Sequence, residues 1–235
     1  MPTAAERLGR RLVAFDLETT GVDAFTDVPV SFGFVEPAAQ VRTGGFVNPG
    51  RPIPAGATKI HGISDADVAD AMPLGQAADY LATRLSDVWR DGGAVVGMNV
   101  AYDLTMVDAV CRQLGLPNLR ERGPIGAVYD VLIIDRHLDR YRKGSRKLSD
   151  LCALYGVSLE AAHAAVDDAE ASLFVFDALV AKYQKEITAI ADDDVTSTLG
   201  EWHRVRLQSY SDWRVSKGDS PIAPGEFAWP LYEPS

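Results

Sequence analysis

Cysteine is nearly absent from this sequence: Cys111 and Cys152 are the two in 235 residues. Both sit in apolar helical patterns, so a disulfide framework is unexpected, and buried reduced thiols in a cytoplasmic protein fit better. No apolar run approaches membrane-spanning length, which argues against a membrane partner. The N-terminus lacks an apolar export core; Arg7, Arg10 and Arg11 are followed instead by a short strand ending in acids. Internal repeats and low-complexity tracts are also missing. So is positive charge in the balance. A formal charge of −10 argues against coating long nucleic acid through a broad basic face. It remains compatible with gripping a few nucleotides at a site that needs metal cations.

What is present is ordinary globular material, 47% apolar and 24% charged. The length suits one well-packed domain with an extension, or at most two small domains. Residues 12–17 form a compact apolar run read as a strand, and 30–35 and 41–47 are two more around a turn at Pro37. Pro29 implies an edge position or a bent start for the second of these. Residues 75–90 place Ala78, Leu81, Leu85 and Val88 at helical spacing. Residues 93–98 read as a buried strand and 104–116 as a helix. The stretch 129–138 begins strand-like and turns helical. Residues 147–155 form a short helix ending at Gly156, and 165–183 a long one with Leu173, Phe176 and Leu179 on one side. Strands followed by alternating helices and strands indicate an α/β domain with a mixed sheet. Asp192, Asp193 and Asp194 open a polar stretch, after which Trp202, Val205, Tyr210 and Trp213 suggest a further helix.

Three groups of acids stand out. In Phe15-Asp16-Leu17-Glu18-Thr19-Thr20-Gly21, strand alternation puts Val13, Phe15 and Leu17 on one side and Asp16 and Glu18 on the other. Two acids projecting together need a cation or a donor unless they are merely solvated. The Thr-Thr-Gly turn offers backbone amides to a phosphate or sugar. In the second group Asn99 reads as the N-cap of a helix, with Asp103 in its first turn, where an acid also suits the helix dipole. In the third, His163 and Asp168 are separated by about 140° on a regular helix, so they converge only if His163 lies on the loop before it. Taken singly, each group has a capping or surface explanation.

Their joint order does not. D-x-E-T-T-G, then N-x-x-x-D, then H-x-A-x-x-D resembles the DnaQ-like exonucleases of the DEDDh type, over roughly residues 11–183. Asn48-Pro49, Ile60-His61-Gly62-Ile63 and Lys147-Leu148-Ser149-Asp150-Leu151 extend the likeness. The resemblance implies a ribonuclease H-like fold, with a mixed five-stranded sheet flanked by helices. It implies removal of nucleotides from a free 3′ end, with Asp16, Glu18, Asp103 and Asp168 holding two Mg2+ ions, for which Mn2+ can substitute. His163 would be the general base. The sister group carries a tyrosine one position closer to the last acid; Ala164 stands there, so the histidine branch is the match. Thr19, His61 and Asn99 would hold the terminal nucleotide, although His61 reads equally as a packing residue. Asp167 is assigned no role.

Residues 136–147 hold Arg136, Arg140, Arg142, Lys143, Arg146 and Lys147, the one dense basic cluster in an acidic chain. Its plain reading is a solvated surface; its position before the third motif favours a flap that contacts phosphate through Arg142 and Lys143. Met98 stands where many relatives have histidine, and Tyr102 where phenylalanine is common. Residues 8–185 are expected to form the exonuclease domain and 186–235 a helical, proline-containing extension packed on it. Single-stranded DNA is the favoured substrate and RNA the rival. A polymerase partner docked through the C-terminal helix is the alternative of a different class.

Overall fold

A computed structural model describes residues 2–159, 163–190 and 194–234. The expected acids Asp192 and Asp193 lie outside the described residues. In chain order the elements are α1 (Ala4–Leu8), β1 (Leu12–Thr19), β2 (Pro29–Glu36), β3 (Val41–Asn48), α2 (Ala55–His61), α3 (Asp65–Val68), β4 (Met72–Pro73) and α4 (Leu74–Arg90). There follow β5 (Ala94–Gly97), α5 (Val100–Gln113), α6 (Leu119–Arg122), β6 (Ala127–Asp130), α7 (Val131–Leu138), α8 (Leu148–Tyr155), α9 (Ala165–Lys182), α10 (Gln184–Thr188) and α11 (Val195–Ser216).

The strands form one mixed sheet of order β4-β3-β2-β1-β5-β6. β1, β2 and β3 are antiparallel neighbours, and β5 and β6 run parallel to β1. The sixth strand beyond the five expected is the two-residue β4, paired parallel with the end of β3. β2 lies inside the sheet, so Pro29 does not mark an edge. It is the first residue of its strand, where the register against β1 shifts between Glu18 and Thr19. There its missing N–H costs the ladder least.

Helices cover both faces, so β1 is buried on each side and its alternation sorts residues between two cores. Val13, Phe15 and Leu17 join Leu81, Leu85 and Leu104 beneath α4 and α5. Leu12 and Ala14 join Tyr129, Leu173 and Phe176 beneath α9. Phe15 and Phe34 stack with ring centroids 4.8 Å apart. Each fully buried leucine contributes roughly 2–3 kcal/mol, so the α4 stripe alone holds that helix on the sheet.

Two glycines decide how α9 crosses. A Cβ at Gly33 would lie 2.4 Å from the Ala165 carbonyl, and one at Gly44 would lie 2.1 Å from a Val166 methyl. Gly33 pairs with both Asp16 and Gly44 in the ladder. The first turn of α9 therefore rests directly on the sheet, beside Asp16.

The chain beyond α10 returns to the sheet. Thr196 in the first turn of α11 accepts the Val128 N–H at 3.0 Å and donates to the Gly126 carbonyl at 2.8 Å, covering the β6 edge. Past α11, Ile222 donates to Ser211, and the Tyr232 N–H reaches Thr105 Oγ1 at 2.8 Å. No helix among the described residues is long and apolar enough to cross a membrane.

Candidate active site

The end of β1 delivers the first two acids. Because Val13, Phe15 and Leu17 turn into one core, Asp16 and Glu18 face the α9 side, as strand alternation requires. Asp103 comes from the first turn of α5 and is 5% exposed. Asp168 comes from the first turn of α9. His163 is not on that helix; it occupies a turn before it at φ 70°, and its backbone N–H donates to Asp168 Oδ2 at 3.3 Å. The ligand atoms of Glu18, His163 and Asp168 lie within 4.8 Å of one another. The loop position required of His163 is the one it takes.

Burial and mutual repulsion set the electrostatics. Asp16 is held well above the usual carboxylate range by desolvation and then by Asp103, Asp168 and Glu18. Desolvation, with Asp168 adding, pushes Glu18 up to about 7. Asp103 is raised by desolvation against the opposing pull of backbone around it, including Leu17. Desolvation also raises Asp168, whose Oδ1 is buried with no hydrogen-bond partner among the described residues. Four acids that repel one another and leave an orphaned oxygen fit a divalent cation, whose charge stabilises the ionised forms.

A fifth acid, Asp130, was not singled out in the sequence. It ends β6 at 1% exposure. One oxygen accepts the Leu132 and Ile133 N–H groups, capping α7; the other accepts the Val100 N–H at 2.9 Å, capping α5. Asn99 therefore does not cap α5 as expected. It stands at the cap position in the left-handed region at φ 60°, makes no side-chain cap bond and leaves its side chain exposed. Burial pushes Asp130 up to about 6, its backbone donors opposing. An acid at a strand-to-helix junction was the available signal.

The turn after Glu18 is tied down from several sides. Thr19 Oγ1 donates to the Gly21 carbonyl at 2.7 Å, and the Tyr102 hydroxyl donates to the same oxygen at 2.6 Å. The hydroxyl that distinguishes Tyr102 from phenylalanine thus joins α5 to the turn. The Thr20 N–H is committed to the Val28 carbonyl at 2.9 Å, so that amide is not free for a phosphate. His61 ends α2. Its Nδ1 accepts the Ile63 N–H at 3.0 Å, while Nε2 is buried. Burial pushes the imidazole down, the Thr19 backbone opposes and His163 adds to the depression, so His61 borders the site.

The basic segment divides. Arg142 was expected to contact phosphate; instead its guanidinium turns inward to the fully buried Asp135 at 2.7 Å, alongside Arg146 and the Tyr155 hydroxyl. A buried carboxylate demands such partners, and this one takes two cations from the segment. Lys143 is exposed. Asp167 turns away from the site toward Arg42 on β3.

Clustered carboxylates and a histidine thus lie at one end of β1 in a mixed sheet flanked by helices. The chain belongs to the exonuclease family, here the DnaQ-like 3′→5′ branch: it matches the RNase_T family, described as exonuclease, over residues 13–176. It is similar to the PolC-type DNA polymerase III of Caldanaerobacter subterraneus, 31% identical over 80% of this chain and 13% of that protein. The Streptococcus pneumoniae PolC-type enzyme is 31% identical over 70% of this chain and 11% of its own length. The chain thus spans about an eighth of these polymerases. Solved structures share the fold. The zinc-bound E. coli exonuclease I–single-stranded DNA complex has a TM-score of 0.62 at 15% identity, covering 85% of this chain and 45% of that one. Exonuclease I from Methylocaldum szegediense has a TM-score of 0.58 at 21% identity, covering 76% and 42%.

Proposed function

We propose that this chain removes nucleotides one at a time from the 3′ end of single-stranded or frayed DNA, releasing nucleoside 5′-monophosphates. The observation that carries the reading is the convergence of Glu18, His163 and Asp168 beside Asp16 and Asp103 at one end of β1. Asp16, Glu18, Asp103 and Asp168 would hold two Mg2+ ions, with Mn2+ as a substitute, since an all-oxygen acid set suits hard cations. When bound, these ions supply charge neutralisation at the scissile phosphate and a water of lowered pKa. His163 would accept a proton from the attacking water, and Asp168 holds the backbone of the turn that presents the imidazole. Thr19 and His61 border the terminal sugar and base. Asn99 and Lys143, both exposed, serve the phosphates.

DNA is favoured over RNA because the fold neighbours include exonuclease I bound to DNA oligonucleotides, and the relatives are DNA polymerases. Those relatives also support a proofreading role in replication or repair, alongside a polymerase. The buried free thiols Cys111 and Cys152 suit a reducing cytoplasm.

The test is incubation of the full chain with 5′-labelled DNA and RNA strands of one sequence, with magnesium, manganese, zinc or a chelator, beside Asp16→Ala. The reading expects a ladder shortening from the 3′ end, faster for DNA, and abolished by chelation and by the substitution. No shortening of either strand with any metal would sink it.

A further inference from the structure

Helix α11 has 22 residues, of which Val195, Leu199 and Ser211 are buried. At 3.6 residues per turn, His203, Arg206, Tyr210 and Trp213 fall within about 80° of one another, on one face. That face is ordered by its own contacts. The Arg206 guanidinium lies over the Tyr210 ring at 5.3 Å, and the Tyr210 and Trp213 rings stack at 5.8 Å with 15° between their planes. Both aromatics remain open, at 38% and 53% exposure. A helix that only packed back on its own domain would turn these rings inward, as Trp202 does against His137 of α7, at 3.8 Å and 5°.

One end of this face meets the C-terminal segment, where His203 Nε2 lies 2.8 Å from the Glu226 carbonyl. The His203 ring is 6.2 Å from that of Tyr232. The Tyr232 backbone is held at Thr105 of α5, two residues beyond Asp103. Arg136 lies on α7, which packs against α11. Charge follows the same line. In a chain of net −10, residues 136–147 carry six cations and one acid, two of the cations (Arg142 and Arg146) being held by buried Asp135, and 195–217 carry four cations and two acids. The surplus of cations along this line complements a phosphate backbone.

We propose that the Arg206–Tyr210–Trp213 face of α11 is a stacking track for the nucleotides upstream of the scissile 3′ end, with Arg206 and Arg136 on their phosphates. From residue 206 to 213 the helix rises about 10 Å, the length of some three nucleotides at roughly 3.4 Å each. Stacked rings accept any base, so the track adds affinity and grip for long strands without adding sequence preference. The inference rests on the nuclease reading above.

The experiment compares steady-state constants of the full chain on a trinucleotide, too short to reach Tyr210, and on a single strand of roughly twenty nucleotides. For Tyr210→Ala/Trp213→Ala, the long-strand KM rises about 10- to 100-fold with kcat held, and the advantage of the long strand over the trinucleotide collapses. Trp213→Phe, which keeps a ring, retains most of that advantage and guards against loss of fold in the double variant. Arg206→Glu raises the long-strand KM and lowers the salt slope of binding by about 0.7. A long-strand KM within about twofold of wild type in both the double variant and Arg206→Glu overturns the track and assigns the face to a protein partner. Failure of the unaltered chain to cut either strand overturns the nuclease reading instead. In that case fluorescence anisotropy of the labelled strand, unaltered chain against double variant, still decides the track.

Discussion

The acid cluster stores repulsion that Glu18→Gln releases. Glu18 is displaced from the ordinary 4.5 to about 7 by desolvation and by Asp168. At about 1.4 kcal/mol per tenfold in the proton equilibrium, that displacement amounts to roughly 3 kcal/mol. The folded state therefore binds more protons than the unfolded chain between pH 4.5 and about 7. Stability contributed by this site falls as pH rises through that window, and the loss is complete above it. Glutamine keeps the shape and cannot ionise. Without metal at pH 8, Glu18→Gln is expected to stabilise the chain by up to about 3 kcal/mol, which for a protein of this size raises Tm by roughly 6–12 °C. At pH 5, where the folded Glu18 is already protonated, the gain shrinks below about 1 kcal/mol. Magnesium should raise the Tm of the unaltered protein at pH 8 and that of the variant less, since a ligand has been lost. The assay is differential scanning calorimetry at the two pH values, with and without the metal. A variant that melts lower than its parent at pH 8 without metal, or gains equally at both pH values, refutes the reasoning.

Asp130→Ala strips the Val100, Leu132 and Ile133 N–H groups of their acceptor; a loss of about 3–5 kcal/mol in denaturant unfolding is expected, and a loss under 1 contradicts the double-cap account. Gly33→Ala drives a methyl into the Ala165 backbone, shifting His163 and Asp168 together; nuclease activity should fall about 100-fold in a chain whose far-ultraviolet spectrum is unchanged. Arg142→Ala leaves Asp135 short of a partner and should cost about 3–5 kcal/mol. By contrast Lys143→Ala should change stability by less than about 0.5 kcal/mol while weakening strand binding. Equal effects from the two would argue against the inward orientation of Arg142.

Local chemistry made much of this fold legible. The strand starting at Leu12, the α4 stripe and a strand-to-helix change within 129–138 all follow from apolar spacing, and the structure agrees to within a few residues. The α5 helix begins earlier than its apolar pattern suggests, because the cap comes from Asp130, 30 residues downstream. Short elements such as α2, α3 and β4 bury too few side chains to impose a period. The site was legible as ordered motifs, since each acid lies at the end of a recognisable element. What escaped was long-range. Gly33 and Gly44 interrupt strands for the sake of a helix some 120–130 residues later in the sequence. The partner that turns Arg142 inward sits on the preceding helix, where nothing in the segment itself announces a buried acid.

The central claim is that this carboxylate and histidine cluster cuts at a 3′ end. It is tested most directly by giving the full chain, with manganese, one DNA strand labelled either at its 3′-terminal nucleotide or at its 5′ end. The account predicts that the 3′ label leaves at the earliest time as a nucleoside 5′-monophosphate, while the 5′ label stays in a steadily shortening ladder. Release of the 5′ label first, or internal fragments that keep the 3′ label, would contradict it.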